Sequence, residues 1–205
     1  ISGGSDGMGR AAAERLASEG VRVGICARRK DHLERAAEEI RKATGGEVLA
    51  VPADVSRAAD VEAVVKAVAD RWGGVDILLN NAAYVMPEGE SPATIPTRLF
   101  EQMFQVNVFG AFHLIQAVLP TMRDQRYGNV INVSGRSRTK GSPLEATKAA
   151  IEAFMSAAPR PYRLHSRSVG SKGSVCHLSS GPGGTTSVWP ARTTRCRPRS
   201  RRRWK

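Results

Sequence analysis

Along residues 1–157 the apolar positions alternate between two arrangements. Short, nearly continuous apolar runs of strand length stand at 21–26, 47–51, 75–79 and 129–133. Between them the apolar residues recur with helical spacing. Leu33, Ala36, Ala37 and Ile40 share one face after Asp31, and Val61, Val64, Val65 and Val68 share another within 60–71. A long helical stripe of Phe100, Met103, Phe104, Ala111, Leu114, Ile115 and Val118 runs within 99–122, and a further helix is expected over 145–157. Buried strands alternating with helices predict an α/β domain, a doubly wound parallel sheet covered on both faces. From Ala158 onward neither period survives. Ser, Gly, Pro, Thr and Arg make up 32 of the last 48 residues. Such a segment buries too little apolar surface to offset its ordering entropy, so 158–205 is expected to be a disordered tail.

Charge follows the same division. The chain of 205 residues carries a net charge of +12, with 31 basic and 19 acidic residues. Residues 158–205 hold ten Arg, two Lys and no acid, so the whole excess lies in the tail and 1–157 is neutral. The three cysteines and four histidines form no metal-ligand spacing and no disulfide framework. No apolar run is long enough to span a bilayer and no secretory signal heads the chain, so a cytoplasmic protein with no membrane partner is expected.

The first nine residues carry the first candidate chemistry. Gly3, Gly7 and Gly9 have the spacing G-x-x-x-G-x-G, with Ser5, Asp6 and Met8 between them. A pyrophosphate site needs a tight turn, close backbone approach and a helix N-terminus aimed at the charge; a glycine-rich surface turn is the other reading. Arg28 lies 19 residues past Gly9, at the end of the next strand, with Arg29 beside it. A Rossmann fold places the reader of the adenosine ribose at that distance. An acid there suits NAD, whereas two arginines suit a 2′-phosphate and so favour NADP over NAD. Asn80-Asn81-Ala82-Ala83 ends a strand where open α/β sheets bind ligands. Asn107 interrupts the apolar helical stripe. It reads either as a core amide bonded to a neighbouring carbonyl or as a residue that kinks the helix and holds a water.

Taken together these segments resemble the short-chain dehydrogenase/reductase family. Ser2-Gly3-x-x-x-Gly7-Met8-Gly9 is similar to its glycine loop, and Asp54-Val55 to its adenine-contacting pair. Asn81, Ala82 and Ala83 fall in its Asn-Asn-Ala-Gly segment. Gln105-Val-Asn107-Val-Phe-Gly110 resembles the segment of its catalytic Asn. Gly128 to Ser134 resembles the strand that leads to its catalytic Ser, and Ala146-Thr-Lys148-Ala-Ala-Ile-Glu-Ala-Phe154 the helix of its catalytic Lys. The resemblance implies hydride transfer between NADP(H) and a small alcohol or carbonyl substrate, and homo-oligomers. It also implies a Tyr that moves the substrate proton, a Lys four residues later that lowers the Tyr pKa and binds the nicotinamide ribose, and an Asn-held water that relays protons to the Lys.

At the decisive point the chain departs from that pattern. Leu144 stands four residues before Lys148, where the resemblance places the Tyr, and leucine donates no proton. The family's usual strand end is Ser-Ser with the second one catalytic. Here it is Ser134-Gly135, so the catalytic match is firm only at Asn107 and Lys148. Three further expectations follow. The family's central first strand is represented only by its last residue or two, and strands beyond the fifth are absent. The tail has the character of an out-of-frame translation, which sequencing of the encoding DNA would test. The chain made alone is marginally stable or unfolded. Three functional readings stay open: an NADP-dependent oxidoreductase whose catalysis is impaired, a dinucleotide-binding pseudoenzyme or truncated product without turnover, and, least favoured, nucleic-acid binding through the arginines of 192–203.

Overall fold

The computed structural model describes residues 1–85, 94–134, 142–157, 167–169 and 173–178. Helix α1 (Gly7–Ser18) follows the glycine loop and is capped by the Asp6 carboxylate, which accepts from the Gly7 amide at 2.8 Å. Strand β1 (Val23–Ala27), helix α2 (Lys30–Thr44) and strand β2 (Val48–Pro52) come next, then helix α3 (Ala58–Trp72) and strand β3 (Ile77–Asn80). Helices α2 and α3 stop on Gly45 and Gly73, whose left-handed backbone (φ 68° and 88°) a side chain would strain. Helix α4 (Thr97–Phe104) runs through a π-helical turn (Gln105–Phe109) into α5 (Gly110–Asp124). Strand β4 (Gly128–Asn132) and helix α6 (Pro143–Ala157) complete the repeating part.

Strands β1 and β2 pair in parallel, Val23 opposite Val48 through Ala27 opposite Pro52. Strands β3 and β4 form a second parallel pair, Ile77 opposite Asn129 through Asn80 opposite Asn132. Ile1 and Ser2 lie between the two pairs. The Ile1 amino group donates to Gly24 O (2.7 Å), Cys26 N–H to Ile1 O (3.1 Å), and Ser2 N–H to Leu79 O (3.0 Å). Two rungs of ladder therefore join β1 to β3.

Alternation along β1 divides its side chains between two cores. Val23 and Ile25 pack with Ala13, Ala17, Leu33 and Ile40 of α1 and α2. Cys26 turns to the opposite face, among Val64 of α3, Leu114 and Val118 of α5, and Met155 of α6. Each face is thus covered by helices, as the hydrophobic pattern predicts.

Two expectations are corrected. The helical stretch 97–124 is continuous through its π turn for 28 residues and reaches a mean hydropathy of 1.3 over 18 of them. By length and composition alone it is long and apolar enough to cross a membrane, although no unbroken apolar run marks it in the sequence. Its apolar face is occupied by the core instead: Leu114, Ile115, Val118 and Met122 are each 3% exposed or less. The second correction concerns 158–205, which was expected to hold no regular structure. Strands β5 (Arg167–Val169) and β6 (Gly173–Leu178) pair with each other, and β6 runs antiparallel to β4. The free edge of β4 offers a row of backbone groups that any extended segment can satisfy, whatever its side chains. The remainder of the tail, and the 135–141 stretch that carries Gly135, lie outside the described residues.

Candidate active site

The glycine loop turns on two left-handed positions, Gly3 (φ 67°) and Gly7 (φ 52°). Gly9 serves contact rather than conformation. A Cβ there would stand 2.2 Å from Gly3 O and 2.4 Å from Asn81 Nδ2. The bare glycine lets α1 sit against the loop and against the end of β3. Asn81 holds the loop from the other side, donating to Ser2 O (3.1 Å) and Gly3 O (3.2 Å). The Ser2 hydroxyl accepts from the amides of Asn81 and Ala82, both at 3.1 Å. Ser2 was not among the residues singled out from the sequence, although it occupies the first place of the glycine motif.

These parts form the wall of a pocket of about 880 Å³ at the carboxyl ends of the strands. Gly3, Ser5, Asp6, Gly7 and Met8 line it from the loop. Arg28 and Arg29 come from the end of β1, Asp54 and Val55 from the turn after β2, and Asn81, Ala82 and Ala83 from the end of β3. Of the cofactor residues expected from the sequence, Gly9 and Lys148 are not in this wall. Arg28 and Arg29 are exposed, and neither has a carboxylate partner among the described residues. The Asp54 carboxylate is already engaged by the Ser56 amide (3.0 Å) and hydroxyl (2.7 Å). It is therefore a brace for the turn as well as part of the wall.

Asn107 lies in the π turn, 2% exposed. Its Oδ1 accepts from Tyr84 N–H (2.6 Å), and its Nδ2 donates to Tyr84 O (3.1 Å) and Thr147 Oγ1 (3.1 Å). The wide turn brings the amide round to bind the backbone that leaves β3. Both Nδ2 hydrogens are used inside the protein, so only Oδ1 has a lone pair left for a water. Thr147, fully buried, passes its own proton to Leu144 O (2.8 Å). Thr147 lies inside the segment quoted above for the lysine helix, but nothing in the pattern singled it out.

Lys148 is 9% exposed. Burial pushes its ammonium pKa down, and the Glu152 carboxylate one helical turn later opposes the shift. Ser134 donates its hydroxyl to Glu152 Oε1. The end of β4 is thereby tied to α6, and the Ser134 hydroxyl proton is directed at a carboxylate. Leu144 stands one turn before Lys148 on the same helix, so no hydroxyl is supplied from that position.

A family model described as short chain dehydrogenase matches residues 1–172. The chain belongs to the short-chain dehydrogenase family. An uncharacterised oxidoreductase of Staphylococcus aureus strain MW2 is 32% identical over 155 residues, 74% of this chain and 65% of that relative. The chain thus spans less than two thirds of that relative's length. Solved short-chain dehydrogenase structures superpose well. A metagenomic short-chain oxidoreductase in complex with NADP matches 77% of this chain and 72% of its own, with 29% identity and a TM-score of 0.70. Actinorhodin polyketide ketoreductase with NADPH matches 77% of this chain and 61% of its own, with 31% identity and a TM-score of 0.70. An NAD+-bound xylitol dehydrogenase matches 77% and 62%, with 31% identity and the same TM-score. Structural neighbours of this chain thus carry either nicotinamide cofactor.

Proposed function

We propose that this chain binds NADP(H) and keeps the cofactor half of a short-chain oxidoreductase acting on a small alcohol or carbonyl compound. One observation carries the reading: the glycine loop, the N-terminus of α1 and two arginines without carboxylate partners all line one pocket of about 880 Å³. A dinucleotide with a 2′-phosphate satisfies each part. The pyrophosphate suits the helix N-terminus, and the phosphate suits Arg28 and Arg29. When bound, the cofactor supplies or accepts a hydride. The family resemblance assigns the nicotinamide ribose to Lys148, which lies outside the pocket wall, and Asn107 holds the Tyr84 backbone that leaves β3.

The proton half is impaired. Reduction of a carbonyl creates an oxyanion that must gain a proton. Leu144 has none to give, and the Ser134 proton is held by Glu152. Turnover is therefore expected to be slow or absent in the chain as it stands, and a binding protein without turnover is the second reading. Leu144→Tyr separates the two. NADPH oxidation is followed with a panel of carbonyl compounds. Activity in the variant and none in the parent supports an oxidoreductase site lacking only its acid. No activity in either means that the Tyr is not the only defect and favours the second reading.

A further inference from the structure

Val55 belongs both to the wall of the glycine-loop pocket and to the core against α5. It lies in the turn that leads from β2 into α3. Of the backbone groups from the Asp54 amide to the Ser56 amide, all but one are engaged. Asp54 N–H donates to Asp60 Oδ2 (2.9 Å), and Asp54 O accepts from Arg57 N–H (3.0 Å). Val55 O accepts from His113 Nδ1 of α5 (3.2 Å), and Ser56 N–H donates to Asp54 Oδ1 (3.0 Å). Val55 N–H has no partner among the described residues.

The grip of α5 on Val55 has two parts. Gly110 is bare where a Cβ would stand 2.7 Å from Val55 Cγ2, so the helix packs directly on the Val55 side chain. His113, one turn later, takes the carbonyl. A carbonyl can only accept, so the His113 ring carries its proton on Nδ1. Side chain and carbonyl are thus both held by α5, and the amide is the group that Val55 leaves to the pocket.

Strand pairing says which part of a dinucleotide meets that amide. Ala27 of β1 lies opposite Pro52 of β2, and Ala53 N–H extends the ladder to Ala27 O (3.0 Å). The turn is therefore the immediate neighbour of Arg28 and Arg29. In NADP(H) the adenine is carried on the same ribose as the 2′-phosphate. A phosphate held by the two arginines brings the base to the turn, where adenine N1, an acceptor at the edge of the ring, complements the Val55 N–H.

We propose that His113 is a positioning residue for adenine recognition: by holding Val55 O from behind, it aims the Val55 amide at the edge of the base. His113 itself is not part of the pocket wall and acts through Val55. The inference rests on the NADP(H) reading above.

The test uses the full chain and two ligands, NADPH and reduced nicotinamide hypoxanthine dinucleotide phosphate. The hypoxanthine ring carries a proton on N1 and accepts no hydrogen bond there. Both ligands are titrated by their nicotinamide fluorescence. The parent is expected to bind NADPH about fivefold or more tightly than the hypoxanthine analogue. His113→Phe should lose that ratio, its NADPH affinity falling to that of the analogue. His113→Asn, which keeps an N–H donor near the place of Nδ1, should retain it. His113→Leu removes the donor in a smaller volume and takes the place of the Phe variant should that one fail to fold. Equal weakening of both ligands, with the parent's ratio kept, would show that His113 only stabilises the fold and overturns the proposal. So does a parent that binds both ligands equally, or an Asn variant that behaves as the Phe variant does. A parent that binds neither ligand overturns the NADP(H) reading and this inference with it.

Discussion

At the residue scale the molecule rests on a few positions where a single atom decides. Gly9 is the sharpest. Gly9→Ala would place a Cβ 2.2 Å from Gly3 O, and neither that backbone nor Asn81 can yield without opening the loop. The variant is expected to lose about 1–3 kcal/mol of stability and its NADPH binding together, measured by urea unfolding and fluorescence titration. Asn107→Leu leaves Tyr84 N–H, Tyr84 O and Thr147 short of a partner, at a cost of about 2 kcal/mol or more, read from the same unfolding curves. Lys148 gives a prediction with a sign. Its folded pKa lies below the ordinary value of 10.5. Between the two values the unfolded chain holds the extra proton, so stability rises with pH through that window and is lowest below it. Urea midpoints measured from pH 7 to 10.5 should climb more steeply in the parent than in Lys148→Met. The glycine spacing, Arg28, Asn107 and Lys148 were legible from the sequence because each breaks a local pattern or falls at a fixed distance from one that does. Ser2, Thr147 and Glu152 were not. Each acts on a neighbour brought close by the fold, and no periodicity announces that.

The elements were legible to within a few residues wherever one period dominated. Helix α2 is the clearest case, with Leu33, Ala36, Ala37 and Ile40 all buried on one face. The strands read clearly because both faces are covered and apolar residues therefore run together. Two features escaped. The π turn at 105–109 conserves an apolar stripe on either side of it, so the sequence shows an Asn inside a helix but not the extra residue in the turn. The pairing of β6 with β4 depends on a free sheet edge, which is a property of the assembled sheet and not of the segment that binds it. The end of β1 carries the cofactor prediction that belongs to this scale. Arg28→Ala combined with Arg29→Ala removes the two cations that the strand presents to the pocket. NADPH affinity should fall at least tenfold, since hydrogen bonds to a charged partner are worth about 1.5–3 kcal/mol, while NADH affinity stays unchanged. Isothermal titration with both cofactors checks it.

On the scale of the whole molecule, the described sheet is two parallel pairs joined through Ile1 and Ser2, with helices on both faces. Its binding wall is assembled from the ends of β1, β2 and β3 and the start of α1. Its proton chemistry would come from β4 and α6, where Leu144 and the bond between Ser134 and Glu152 intervene. In the proposed reading, cofactor binding falls mainly to the first half of the sheet and proton chemistry to the second, with Lys148 of α6 shared between them. The most direct measurement is a fluorescence titration of the full 205-residue chain with NADPH and, separately, with NADH. Saturable binding of NADPH, at least tenfold tighter than NADH, is the predicted result. Failure to bind either cofactor, or equal binding of both, would contradict the account.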